Sequence, residues 1–291
     1  MLKFYVETSR PKTLIASFAP IALIGAFHFK AMMENLFLFT FILLSSLVIQ
    51  MLTNYFNDYY DFAQGQDTDL RLGPKRPFQR NDLSKKKMQK GILLLSCSYF
   101  GFTLPLIQRI GVYGIILSIV CYFLSIYYTK GNYSLSKLGI SDIFSFVFFG
   151  PLATSITGYA LECQWQLVDF LIGILPGSFS TILLIVNHLR DEKEDRINKK
   201  TTSVVRFGSE FGKRLIYFFV SLFLINFFLI FPLNFFSIVI FFISFLSAIK
   251  FIQLFRSSCK EDAYQHLLPI AAFHFMVQFL LHLFLICILN I

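Results

Sequence analysis

The chain has 291 residues, of which 56% are hydrophobic and only 15% charged, with a mean hydropathy of +0.64 and a net charge of +9. Soluble domains carry about 25% charged residues, so one water-soluble core cannot absorb this apolar surface, and no Gly/Ser linker or charged tail sets a soluble module apart. The positive charge does not point to nucleic acid, because the basic residues stand in short loops between apolar runs. The five scattered cysteines, Cys97, Cys121, Cys163, Cys259 and Cys287, lack the spacing of a disulfide framework or a metal site.

The amino-terminal stretch MLKFYVETSRPK lacks the pattern of a cleaved leader. Crossing the hydrocarbon takes about 20 mostly apolar residues. Nine segments qualify, at 12–30, 36–61, 91–108, 112–129, 140–160, 167–189, 214–231, 233–255 and 267–289. Helices are expected throughout, because lipid offers no partner to an unpaired backbone group. The expectation is an all-α polytopic membrane protein, a bundle of nine transmembrane helices forming a single membrane-embedded domain over 1–291. With the amino terminus in the cytoplasm, 24 of the 26 Lys and Arg fall on that side, and only Lys30 and Arg109 face the other. The carboxy terminus is then placed opposite. Two cytoplasmic loops, 62–90 and 190–213, are longer than the rest, and each follows a helix ending in Asn and Asp.

The first of those ends reads Asn54-Tyr-Phe-Asn57-Asp58-Tyr-Tyr-Asp61, continuing to Gly65 and Asp67. At about 100° per residue, Asn54, Asn57, Asp58 and Asp61 share one helical face. The second runs from Asn187 through His188, Arg190 and Asp191 to Asp195 and Arg196, with Asn187, Asp191 and Asp195 four residues apart. An acid within an apolar helix costs up to about 2.5–3.5 kcal/mol at the membrane centre, so four of them need a compensating partner. Carboxylate and amide oxygens suit Mg²⁺, which takes one or two carboxylates and binds substrate phosphates. Two such faces are suited to hold Mg²⁺ ions bridging a diphosphate, with metal charge offsetting charge on the leaving group. The bland alternative is a pair of solvated acidic helix ends neutralised by nearby Lys and Arg. The loops supply cations for diphosphate oxygens: Arg10 and Lys12 before the first helix, Arg71 and Arg76 around Gly73-Pro74, and Lys130 and Lys137 after the fourth. Lys85, Lys86 and Lys87 read instead as topology or lipid-headgroup signals.

These motifs resemble the UbiA superfamily of intramembrane prenyltransferases, and within it the branch that prenylates a dihydroxynaphthoate on the way to menaquinone. The matching segments are Arg10-Pro11-Lys12-Thr13-Leu14, the run from Asn54 to Asp67 with Arg71 to Arg76, Tyr128-Thr129-Lys130-Gly131-Asn132, and Phe148-Phe149-Gly150. Asn187 to Arg196 match save for His188, which replaces a usual Asn; Lys200, Thr202, Val205-Arg206 and Gly208 follow, while Lys199 stands where Gly is usual. The likeness covers roughly 10–215, and the last three helices carry no signature. His188 bears on acceptor contacts, and Lys199 on the loop after the sixth helix.

The resemblance implies an Mg²⁺-dependent enzyme of a multi-pass cell (cytoplasmic) membrane, acting on a polyprenyl diphosphate and an aromatic quinone precursor. Asp58, Asp61, Asp191 and Asp195 would be the catalytic metal-holding residues. Asn54, Asn57, Asn187, Arg190, Arg71, Arg76, Arg10, Lys12, Lys130, Lys137 and Tyr128 would contact substrate. Ionisation would leave an allylic cation, which the naphthoate ring attacks with loss of its carboxyl group. Tyr59, Tyr60, Tyr127 and Tyr128 have ring faces for that cation, although an aromatic belt at the interface accounts for them as well. The alternative acceptors are 1,4-dihydroxy-6-naphthoate, 4-hydroxybenzoate and homogentisate. Rival classes are a cation transporter built on the acids and a lipid-binding scaffold without catalysis. His266, His274 and His282 read as helix packing, Glu162 and Asp169 beside Trp165 as an interfacial anchor, and the Phe-rich run 218–245 as lipid-facing bulk.

Overall fold

The computed structural model describes residues 2–64, 84–131, 134–198, 200–260 and 263–289. They form helices and turns, with no strand among them. A short α1 (Leu2–Ser9) leads through a 3₁₀ turn at Pro11–Thr13 into α2 (Ile15–Phe27), α3 (Phe29–Glu34) and α4 (Leu36–Ala63). Next come α5 (Lys85–Ile110), α6 (Val112–Tyr127), the single turn α7 (Leu135–Leu138), α8 (Ser141–Phe148) and α9 (Pro151–Glu162). The rest is α10 (Leu167–Ile197), α11 (Ser203–Phe207), α12 (Ser209–Ile230), α13 (Phe235–Lys260) and α14 (Leu267–Leu289).

Seven spans are long and apolar enough to cross a membrane, with α8 and α9 counted together, and α2 and α6 are shorter apolar helices at two further segments marked by hydropathy. The chain is a multi-pass membrane protein. Helix α10 is its axis: 72% of its most apolar stretch is buried, against 22–39% in the other six spans. It packs on α2, α8, α9, α11, α12 and α14. The largest core cluster lies here, with Phe179 of α10 stacked on Phe275 of α14 at 5.2 Å and tilted against Phe223 of α12 at 4.9 Å.

Three expectations need correcting. The segment 140–160 is two helices broken at Phe149-Gly150, with Pro151 at the first position of α9, where its missing N–H costs nothing. The break lets α10 approach: a Cβ on Gly150 would come within 2.4 Å of the Gly173 carbonyl oxygen and 2.7 Å of the Gly177 Cα. Glycine in the Phe-Phe-Gly segment is therefore a packing requirement. Second, the loop placed at 190–213 is largely helical, because α10 continues to Ile197 and α11 and α12 follow. Third, the Phe-rich run is not all lipid-facing. Phe219, Phe223, Phe227 and Phe231 repeat every fourth residue and are 7%, 1%, 2% and 3% exposed, whereas Phe218, Phe228 and Phe242 are 50% exposed or more.

Candidate active site

Helix α4 carries its charged residues only in its last turns, where Asp58 and Asp61 are 2% and 1% exposed. A buried carboxylate is tolerated when it is paired. Arg10 donates from its guanidinium to Asp58 at 2.5 Å. Its backbone is left-handed at φ 49°, one of two such non-glycine residues among those described, a conformation that costs on the order of 1–3 kcal/mol. The strained turn before Pro11 is anchored by Asn54, which donates to the Ser9 carbonyl at 3.1 Å and lies 3.5 Å from the Thr13 hydroxyl. Tyr55 adds a bond to the Tyr5 carbonyl at 2.9 Å.

Helix α10 has 31 residues, roughly 46 Å at 1.5 Å per residue. That exceeds the ~30 Å hydrocarbon thickness, so its last turns extend toward the headgroups. Arg190 grips both oxygens of Asp191 at 2.6 Å each. Asp195, one turn on, is buried at 8% exposure. Asn187 donates to the Leu183 carbonyl of its own helix at 3.1 Å.

Lys200 joins the two helix ends. Its Nζ donates to Asp61 at 3.3 Å, its backbone N–H bonds the Asp195 carbonyl at 2.8 Å, and its charge bears on the Asp195 carboxyl. The four aspartates thus share one end of the bundle with Arg10, Arg190 and Lys200 among them. Tyr128 caps α6 at the same end, within electrostatic reach of Asp142, Arg10, Asp195 and Asp61. Among the described residues no three His, Cys, Asp or Glu side chains converge as a ready-made metal cage.

Other expected residues are less central. Lys137 donates to the Gln64 side chain at 2.7 Å, and Lys130 stands 5.6 Å from the Tyr60 ring. Asn57 is half-buried. Tyr127 is 52% exposed, as a belt residue is. Arg71, Arg76, Lys199 and the Lys12 side chain lie outside the described residues.

The sequence reading missed Asp142. It is 5% exposed in the first turn of α8, with Oδ1 3.3 Å from Nδ1 of His188. An acid opening an otherwise apolar span was the available signal. Lys200 was noted as a motif match without a role. At the far end, Trp165 is 67% exposed and stacked on Tyr159, as an anchor should be. Asp169 is not an anchor: it is 0% exposed and bonds His28 at 2.8 Å, with Glu162 3.3 Å from the other ring nitrogen. On α14, His274 meets Ser247 at 2.8 Å and His282 meets the Gln278 carbonyl at 2.8 Å, so these histidines serve packing.

Residues 17–279 match the UbiA prenyltransferase family. The chain is 32% identical over 221 residues to the 1,4-dihydroxy-2-naphthoate octaprenyltransferase of Haemophilus influenzae, covering 73% of this chain and 71% of that protein. It is 33% identical over 228 residues to the Escherichia coli protein of the same name, covering 72% and 70%. Among solved structures, a UbiA homologue from Archaeoglobus fulgidus bound to DMAPP and Mg²⁺ superposes with a TM-score of 0.63 at 13% identity, over 96% of this chain and 98% of that one. That likeness shows the fold. The chain belongs to the UbiA prenyltransferase family.

Proposed function

We propose that this prenyltransferase moves a polyprenyl group from its diphosphate to 1,4-dihydroxy-2-naphthoate in the cytoplasmic membrane, with loss of the carboxyl group, to give the hydroquinone form of demethylmenaquinone. The observation that carries the reading is the joining of two aspartate-bearing helix ends through Lys200, with Asp61 3.3 Å from its Nζ. Four carboxylates facing lysine and arginine make a site for an anion held by cations. Curated relatives named for transfer to that naphthoate supply the acceptor.

The residues fit Mg²⁺. Asp58, Asp61, Asp191 and Asp195 offer hard oxygen donors from two helices, and Mg²⁺ asks for one or two carboxylates, completed by phosphate oxygens and water. When bound, the metal neutralises charge on the departing diphosphate. Arg10, Arg190 and Lys200 hold the remaining phosphate charge through charge-assisted hydrogen bonds, once they turn from the aspartates they now pair with. Breakage of the allylic C–O bond leaves a carbocation, and the neutral ring of Tyr128 faces it without competing as a nucleophile. The electron-rich naphthoate ring supplies the electron pair for the new C–C bond. Cleavage of the bond to the carboxyl carbon then releases CO₂ and restores aromaticity.

A cation transporter would hold its acids near the midplane on broken helices, whereas Asp58, Asp61, Asp191 and Asp195 occupy the last turns of α4 and α10. The test uses purified protein in lipid with Mg²⁺, octaprenyl diphosphate and four acceptors: 1,4-dihydroxy-2-naphthoate, 1,4-dihydroxy-6-naphthoate, 4-hydroxybenzoate and homogentisate. Mass spectrometry should show a prenylated product with CO₂ loss from the first. Product from another acceptor alone would move the protein to a different quinone.

A further inference from the structure

We infer that Asp142 and His188 form the docking point for a ring hydroxyl of the aromatic acceptor, an inference that rests on the prenyl-transfer reading above. The two side chains meet across the α8–α10 contact. Asp142 Oδ1 lies 3.3 Å from His188 Nδ1, and the side chains are 8% and 10% exposed. The approach is close but does not make a hydrogen bond. Both carboxylate oxygens of Asp142 and Nδ1 of His188 have no hydrogen-bond partner among the described residues.

A buried carboxylate with neither oxygen satisfied is costly, and native interiors rarely carry one without a reason. The first turn of α8 favours a negative charge through its free N–H groups, which accounts for the acid but leaves its oxygens open. The backbone is fixed as well: Thr181 of α10 donates to the Asp142 carbonyl at 3.4 Å.

Position and charge identify the occupant. Asp142 is the charged group that bears most strongly on Tyr128, and His188 bears on Asp195. The pair is therefore within electrostatic reach of Tyr128 and of Asp195, the groups assigned above to the reacting end of the donor. Its open oxygens accept and do not donate. An anionic diphosphate or carboxylate is repelled, whereas a phenolic hydroxyl donates to Asp142 with the His188 ring beside it. The acceptor's own carboxyl group must then point away, so the hydroxyl remote from it is the one that docks. This gives His188 a role in acceptor recognition.

The test is equilibrium binding to purified protein in lipid nanodiscs, without donor or metal. The probes are 1,4-dihydroxy-2-naphthoate and 1-hydroxy-2-naphthoate, which lacks the remote hydroxyl. A site built to bond a hydroxyl rejects the analogue without it, so the wild type should prefer the dihydroxy compound by about tenfold or more. In Asp142→Asn that preference should fall below about threefold, because the amide no longer leaves a buried charge unpaired. His188→Asn should reduce it part-way. Thermal unfolding checks that each variant is folded, and if Asp142→Asn is not, His188→Asn decides by the same criterion. An undiminished preference in a folded variant overturns the inference even where the wild type makes prenylated naphthoate. A wild type that neither binds nor converts dihydroxynaphthoate overturns the proposed acceptor, and the inference with it.

Discussion

Two buried polar regions of this bundle behave differently. Between α13 and α14 the bonds involve no carboxylate, lysine or arginine and run from one helix to the other: Ser244 meets Gln278 twice, Ser247 meets His274, and the His274 ring stacks on Phe251 at 4.9 Å. Between the ends of α4 and α10 the groups are charged, and three cations from separate segments pair with Asp58, Asp191 and Asp61, with Asp195 beside them. The first arrangement is the inexpensive way to keep polar atoms in an apolar interior. The second carries an electrostatic cost that helix packing alone does not require. Burial of polar groups therefore does not mark a site by itself; charge that can exchange partners does.

The largest effect that would sharpen this contrast is on turnover. Asp58→Ala and Asp191→Ala should each lower kcat/KM by about 10²–10³-fold, measured by product formation, while thermal unfolding stays near the wild-type temperature. A collapse of the fold with no separable loss of turnover would erase the contrast. Gly150→Leu tests the frame that positions α8 against α10: the side chain meets backbone at 2.4–2.7 Å, and overpacking of this kind costs about 1–3 kcal/mol. Its denaturation midpoint in detergent should drop. Gln278→Leu strands Ser244, a loss of about 1–3 kcal/mol, and should lower stability while leaving kcat/KM per folded molecule unchanged. Lys137→Ala should do least. Its amine is engaged by the Gln64 side chain, and a pair near solvent is worth about 1 kcal/mol or less, so kcat/KM should fall no more than roughly fivefold.

Much of this was legible in the sequence because it is local. Shared register on a helix face placed Asn54, Asp58 and Asp61 together, and hydropathy marked the spans. The proline after Gly150 signalled the break between α8 and α9, but a continuous apolar run masked it. What stayed hidden depends on contacts distant in the chain. Asp142 and His188 are 46 positions apart and meet only because glycines at 150, 173 and 177 let two backbones close. The left-handed turn that aims Arg10 at Asp58 leaves no pattern beyond the following proline. The inward Phe219, Phe223 and Phe227 were indistinguishable from their lipid-facing neighbours until α10 supplied a surface for them.

The most direct measurement of the central claim is binding of geranyl diphosphate to the protein in nanodiscs, with no acceptor, with Mg²⁺ and with EDTA, for the wild type, Asp61→Asn and Asp191→Asn. Two helix ends that jointly hold a metal–diphosphate predict tight binding by the wild type only with Mg²⁺, and a loss of about tenfold or more in each variant. Binding that survives EDTA, or that either variant retains in full, would contradict it.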